Sequence, residues 1–290
     1  MIIVRLKGGM GNQMFQYALG RVLSIRNNTK LKLDTTTFGI DIVGNVKREY
    51  CLDIFNIEAD IATFKEVPLL FRFYKNKYIA RLFNFLKRFI ENKGREKGFV
   101  FYSCILEAGD DLFLDGFWQS PKYFSEIEDV IRKGFYLKKG LSPKSQVLFD
   151  EINNQKSLCV NVRRGDFVGN SYHEVVGNDF YTKGLKVFEN MNMNFDKVYV
   201  FSDDIQWCKN NLKFGKPTIF VDYEYSGEKF GEYLYLMSAC RLFIIPNSSF
   251  AWWGAWLSLH KDKRVICPNQ WFGDANINSD DLIPNDWIRI

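Results

Sequence analysis

The residues best suited to chemistry stand together in one stretch, Leu158-Cys-Val-Asn-Val-Arg163-Arg164-Gly165-Asp166-Phe167. Guanidiniums keep their charge at any working pH and present a rigid fork of donors that matches phosphate oxygens bidentately. Gly165 lets the backbone turn beside them, and Asp166 can either orient an arginine or act as a base. A second cluster, Phe201-Ser202-Asp203-Asp204, sets a hydroxyl and two carboxylates between a strand and a helix. Capping needs only one carboxylate, which leaves the other for a nucleobase edge or ribose hydroxyls. A third, Ile245-Pro-Asn247-Ser248-Ser249-Phe250, ends another apolar run with Asn247 or Ser248 as a helix cap. The free amides of Ser249 and Phe250 would then face whatever lies above the sheet, and a helix N-terminus suits a pyrophosphate. Trp252, Trp253 and Trp256 follow, of which one or two fit a core and none is assigned to a ligand.

These clusters need strands to end in one place, and the second half of the chain alternates strands and helices in a way that supplies them. Strands are expected at Leu158–Val162, Val198–Phe201, Thr218–Val221, Leu242–Ile245 and, last, Val265–Cys267. Helices are expected at Asp179–Phe188, Asp204–Leu212, from Phe230 to Cys240 and at Phe250–Leu259. Such alternation makes a parallel sheet with helices on both faces, whose ligands gather outside the carboxyl ends of the strands. Near the start, Met1-Ile-Ile-Val-Arg-Leu6 reads as a strand, Lys7-Gly8-Gly9-Met10-Gly11-Asn12-Gln13 as a glycine turn, and Met14 to Val22 as a helix. That order also brings backbone amides to a ligand, although the spacing is neither the dinucleotide fingerprint nor a Walker A loop. Leu31–Asp34 reads as another strand, and Thr35 to Cys104 is the least readable region. Ser120-Pro121 and Ser142-Pro143 both look like helix starts, the second opening a helix that bridges two domains. The three strand ends and the glycine turn together predict a nucleotide-diphosphate ligand between two halves of the chain.

Composition sets the limits. With 290 residues, 47% hydrophobic and 25% charged, the chain has room for one large or two ordinary domains with their own cores. The net charge of +5 is too modest to argue for nucleic acid, but from Arg72 to Lys97 nine basic residues stand against two acidic ones, among many aromatics. Residues 71–97 therefore read either as a helix lying on an anionic membrane or as one covering its own core with long stems. The cysteines at 51, 104, 159, 208, 240 and 267 show no CxxC spacing, and several sit in apolar strand-like runs that suit reduced, buried thiols. No apolar run is long enough to span a membrane and no signal-peptide pattern is present, so a cytoplasmic protein is expected, peripheral to the inner membrane face if 71–97 touches lipid. No Asp-x-Asp occurs and the two histidines offer no ligand pair, so no metal site is expected.

Gly8-Gly-Met-Gly-Asn-Gln-Met-Phe-Gln-Tyr17, Val162-Arg-Arg-Gly-Asp-Phe167, Phe201-Ser-Asp-Asp204 and Asn247-Ser-Ser-Phe-Ala-Trp-Trp-Gly-Ala-Trp256 resemble, in order and across nearly the whole chain, the motifs of glycosyltransferase family 11, the α-1,2-fucosyltransferases. The resemblance implies an α/β, GT-B-like fold of two Rossmann-like domains facing a central cleft. An acceptor-binding domain would occupy 1–141 and a GDP-fucose-binding domain 142–290. It implies inverting, metal-independent transfer of L-fucose from GDP-β-L-fucose to the 2-hydroxyl of a terminal galactose, on an oligosaccharide or a lipid-linked O-antigen glycan. A different linkage or acceptor sugar, or a binding protein without turnover, is the alternative. By position, Arg163 would hold the diphosphate with Arg164 in support. Asp204, backed by Asp203, would read guanine, and Ser248, Ser249 and Phe250 would form the phosphate turn. Asn12 and Gln13 would approach from the N-terminal domain. Asp166 is the first choice of base, with His173 and Glu174 behind it. One departure stands out: many relatives have His two residues before the first arginine, where this chain has Asn161.

Overall fold

The computed structural model describes residues 1–39, 48–72, 96, 98–165, 169, 176–274 and 276–290. Asp166, His173 and Glu174, and all of 71–97 except Phe71, Arg72 and Glu96, lie outside the described residues. The chain divides into two compact units, Met1–Tyr136 with Asp280–Leu282, and Leu137–Ser279 with Ile283–Ile290. The sequence reading set the division at 141/142 and foresaw no return of the chain to the first unit.

In the first unit, Ile2–Arg5 forms β1, buried along its length as an apolar inner strand should be. Gly9 leads into α1 (Met10–Arg26), which stops where Asn28 takes a left-handed φ of +46°. β2 (Leu31–Asp34) and β3 (Asp60–Ile61) build outward on one side of β1, α2 (Leu69–Arg72) follows, and β4 (Leu112–Leu114) returns to the other side. All pairings are parallel, in the order β3-β2-β1-β4. Ile3, Ala62, Val67, Phe71 and Phe113 share one apolar cluster. Arg5 crosses it, paired with Asp34 at 2.9 Å, donating to the Phe71 carbonyl at 2.8 Å and lying over the Phe71 ring at 4.7 Å. Phe71, the first residue of the stretch read either as a membrane-surface helix or as one covering its own core, is buried in this cluster. The Ser120-Pro121 start yields only a 3-10 turn, Pro121–Tyr123, and a helix, α3 (Glu128–Gly134), begins after a second such turn.

The second unit opens with α4 (Pro143–Asn153), capped by Ser142, whose hydroxyl accepts from the Ser145 amide. This helix belongs wholly to the second unit and packs on α7, which corrects its reading as a bridge. Then follow β5 (Ser157–Val162), α5 (Asn178–Asn190), β6 (Lys197–Ser202), α6 (Ile205–Asn211) and β7 (Thr218–Val221). α7 (Gly231–Ser238), β8 (Leu242–Ile244), α8 (Ser249–Leu257), β9 (Arg264–Cys267) and β10 (Ile288–Arg289) complete it. β9 was expected to be the last strand; β10 pairs with it in parallel. The six-stranded sheet runs β10-β9-β8-β5-β6-β7. Its strands advance from β5 through β6 to β7, then reverse and return to the free side of β5 as β8. The first sheet reverses in the same way between β1 and β4. Leu158, Val160, Val198, Val200, Phe188 and Ile244 lie at the centre of the second core.

Candidate functional site

Register builds the site. β5 and β6 pair so that Val162 stands opposite Ser202, and the residues that leave each strand, Arg163 and Asp203, emerge side by side. Arg163 Nη1 meets Asp203 Oδ2 at 3.0 Å. The backbone amide of Arg164 donates to Asp203 Oδ1 at 2.8 Å, and that of Gly165 to Oδ2 at 2.9 Å. One carboxylate thus holds an arginine and the turn that carries it. The approach leaves room for glycine alone, since a Cβ on Gly165 would sit 2.6 Å from Asp203 Oδ2. Asp204 caps α6 by accepting from the Trp207 amide at 3.0 Å, and its other oxygen lies 3.4 Å from Arg164 Nε. The Arg164 guanidinium covers the Trp207 ring at 3.9 Å, a contact that orients the charge.

β8 lies on the other side of β5, so the N-terminus of α8 reaches the same edge of the sheet. Ser248 is the cap, its hydroxyl accepting from the Ala251 amide at 3.4 Å. The amides of Ser249 and Phe250, in the first turn, have no partner within the helix and carry its partial positive charge. Trp252, Trp253 and Trp256 are all buried, stacked or edge-on with one another, and Trp252 also meets Trp287 at 5.5 Å. All three are core, one more than the sequence reading allowed. Arg163, Arg164, Asp203, Asp204 and Ser248 to Phe250 therefore come from the carboxyl ends of three neighbouring strands, β8, β5 and β6. The reversal of strand order falls between β8 and β5, the position at which open α/β sheets bind ligands.

Asn161 is buried on β5, its amide donating to the Phe201 carbonyl of the next strand at 3.2 Å. The position where many relatives carry His is thus an interior one here.

Asn12 and Gln13 belong to the first unit, at the reversal between β1 and β4. Gly8, at φ +77°, turns the chain, and a Cβ there would lie 2.5 Å from Asn12 Nδ2. Asn12 is half-buried and accepts from Gln119 Nε2 at 2.6 Å. Gln13 is fully buried, donating to the carbonyls of Gly8 and Glu49 and accepting from the Cys51 amide. Its side chain holds backbone together. Glu96 accepts from the amides of Phe117 and Trp118 at 2.6 and 2.9 Å, and burial raises its pKa against those bonds and the Lys7 charge.

Sequence reasoning passed over Trp207 and Tyr223. The Tyr223 hydroxyl donates to the Asp203 carbonyl at 2.8 Å, and burial, then the Asp203 charge, keep its proton on by raising its pKa. Attention to every strand end would have found it, because Tyr223 follows β7 by two residues. Among the described residues no cluster of three or more His, Cys, Asp or Glu suits a metal ion. No helix among them is long and apolar enough to cross a membrane.

Comparison with known proteins places the chain in a wider group. The family model described as Glycosyl transferase family 11 matches residues 1–290. An α-1,2-colitosyltransferase of Escherichia coli is 31% identical over 297 residues, covering 100% of this chain and 98% of that protein. The O-antigen biosynthesis glycosyltransferase WbnK of Escherichia coli is 29% identical over 304 residues, covering 98% of this chain and 99% of that protein. Among solved structures, the NodZ α-1,6-fucosyltransferase co-crystallised with GDP aligns with a TM-score of 0.50 at 14% identity, over 88% of this chain and 91% of that one. That likeness is one of fold, and the two parallel-sheet units are GT-B-like.

Proposed function

Because the chain belongs to glycosyl transferase family 11, we propose that it transfers L-fucose from GDP-β-L-fucose to the 2-hydroxyl of a terminal galactose, with inversion and without a metal. The observation that carries this reading is the convergence of Arg163, the Asp203 clamp and the α8 N-terminus at one strand reversal. Arg163 and Arg164 take the donor diphosphate together with the amides of Ser249 and Phe250. Asp203 acts as a positioning residue, and Asp204, the more exposed of the two carboxylates, contacts guanine. As the acceptor oxygen attacks C1, the C1–O bond to GDP breaks through an oxocarbenium-like state, and the negative charge gathers on phosphate oxygens facing fixed donors. Such preorganised donors are worth about 10²–10³ in rate each. The acceptor proton passes to Asp166, with His173 and Glu174 as the alternatives. The metal-free assignment is supported by a sequence without Asp-x-Asp and by two arginines able to balance the leaving group.

The first unit is the acceptor-binding domain, and Asn12, on the turn that Gln13 holds, is its candidate ligand contact. The acceptor is a galactose-terminated oligosaccharide or lipid-linked glycan of O-antigen type, reached from the cytoplasm, with the basic aromatic stretch 71–97 as the contact to the membrane surface. A second reading concerns the donor. The colitosyltransferase at 31% identity supports GDP-colitose, whose sugar is the 3-deoxy counterpart of fucose.

Release of GDP from GDP-fucose and from GDP-colitose, with and without lactose and in EDTA, tests the proposal. Lactose-dependent release from GDP-fucose that survives EDTA and yields a 1,2 linkage supports it. Preference for GDP-colitose moves the donor. No release from either, with lactose or other galactosides, removes the galactoside-transferase reading.

A further inference from the structure

The chain between β7 and α7 carries a feature that the donor contacts above leave unused. It passes through two 3-10 turns, Tyr223–Tyr225 and Glu228–Phe230, before α7 begins. Gly227, Lys229 and Phe230 all have positive φ, at +62°, +51° and +65°. For a bulky aromatic residue this backbone is an outlier that persists where surroundings or function impose it. The result is a Phe230 ring 44% exposed beside a Tyr223 ring 50% exposed, edge to face at 5.6 Å and 84°. One exposed ring needs no explanation. Two rings presented together by a strained turn do.

The pair is tied to the arginine site. Tyr223 hangs by its hydroxyl from the carbonyl of Asp203, the residue whose carboxylate grips Arg163. Phe230 rests edge-on against Tyr233 at 6.1 Å. Tyr233 accepts from the Ser202 amide and donates to the Val221 carbonyl, joining the ends of β6 and β7. The neighbouring aromatics are occupied: Trp207 lies under the Arg164 guanidinium, and Tyr233 and Tyr181 are buried. Among the described residues, Tyr223 and Phe230 are an adjacent pair of exposed rings open to a flat ligand at this end of the sheet.

We infer that Tyr223 and Phe230 form the platform that holds the donor's nucleobase, one ring against its face and the other, nearly perpendicular, at its edge, beside the arginines that take its diphosphate. The inference rests on the nucleotide-sugar reading above. Every base has a π-face, so the platform supplies affinity with little choice among bases, and hydrogen bonds to Asp204 supply the choice.

Calorimetric titration of the full chain with GDP and, separately, with inorganic pyrophosphate tests this. Phe230→Asn suits the purpose because Asn accepts left-handed backbone more readily than Phe. Phe230→Asn and Tyr223→Ala are each expected to weaken GDP about 10- to 100-fold and to leave pyrophosphate affinity unchanged, while Phe230→Tyr keeps GDP affinity. Unchanged GDP affinity in both ring-removing variants, or equal losses for GDP and pyrophosphate, overturns the platform and leaves the donor reading standing. A wild-type chain that binds pyrophosphate and not GDP overturns both.

Discussion

Both sheets of this protein reverse their strand order, and they equip the reversal differently. Between β5 and β8 the loops carry charge: two arginines, two aspartates and a helix N-terminus, with Arg163, Arg164, Asp203 and Asp204 all partly open to solvent. Between β1 and β4 an ion pair, Lys7–Asp115 at 3.2 Å, stands among side-chain amides turned inward. Gln13 bridges three backbone groups, Gln16 accepts from the Lys7 amide and donates to the Gly116 carbonyl, and Gln119 donates to Asn12. An amide offers a donor and an acceptor together and can be buried once both are used. A guanidinium or carboxylate keeps its charge most cheaply where water still reaches it, and from there it can also reach an ion in solution. The same topology therefore carries a turn held by side-chain amides in one unit and a charged, partly open edge in the other.

Substitutions can break this contrast. The largest effect is expected from Arg163→Ala, which should lower kcat for GDP release about 10²–10³-fold. Its thermal melt should barely move, because a partly exposed ion pair contributes only about 0–1 kcal/mol. Asp203→Asn comes next. A neutral amide oxygen cannot serve Arg163 and the amides of Arg164 and Gly165 as a carboxylate does, and a hydrogen bond to a charged group is worth about 1.5–3 kcal/mol. A fall in kcat/KM of roughly tenfold or more is expected in steady-state kinetics. Gln13→Ala should act the other way round, with stability falling by about 1–3 kcal/mol in urea denaturation as buried backbone groups lose their partner. An Arg163→Ala loss seen in the melt, or a Gln13→Ala loss seen only in rate, would erase the distinction.

The smallest effect is one of pH and belongs to the first unit. Burial raises the Asp281 carboxyl, but hydrogen bonds from Lys122 and the Phe101 amide, with the Lys122 charge, outweigh it and hold the pKa below the usual value. A carboxyl depressed in the folded state adds stability above its unfolded value of about 3.9. That stability is lost as pH falls through the folded value. Melting curves taken from about pH 6 to 3 should show a steeper acid loss for the wild type than for Asp281→Asn.

Much of the second unit was legible because buried parallel strands read as short apolar runs. Thr218–Val221 matched at both ends, and β5, β6, β8 and β9 differed by a residue or less at either end. β3 and β10 escaped because two residues carry no period. The strand-end rule put Arg163 and Asp203 where strands end, as the structure does, but could not tell that they face each other, which depends on the register of β5 against β6. Gln13 shows the complementary failure: an amide after a glycine turn has the same sequence signature whether it meets a ligand or its own backbone. The burial of Asn161 was likewise hidden, since a strand ending in polar residues does not say which face each takes.

The return of Asp280–Leu282 to the first unit bears on how the protein is made. Ser120, Lys122 and the Phe101 amide all bond to Asp281. That residue leaves the ribosome only after β5 through β9 have been synthesised, on the order of ten seconds later at ordinary elongation rates. The N-terminal unit is thus begun first and finished late, so its newly made surface around Ser120 must wait, covered by chaperones or by water, for a strap encoded on the far side of its neighbour.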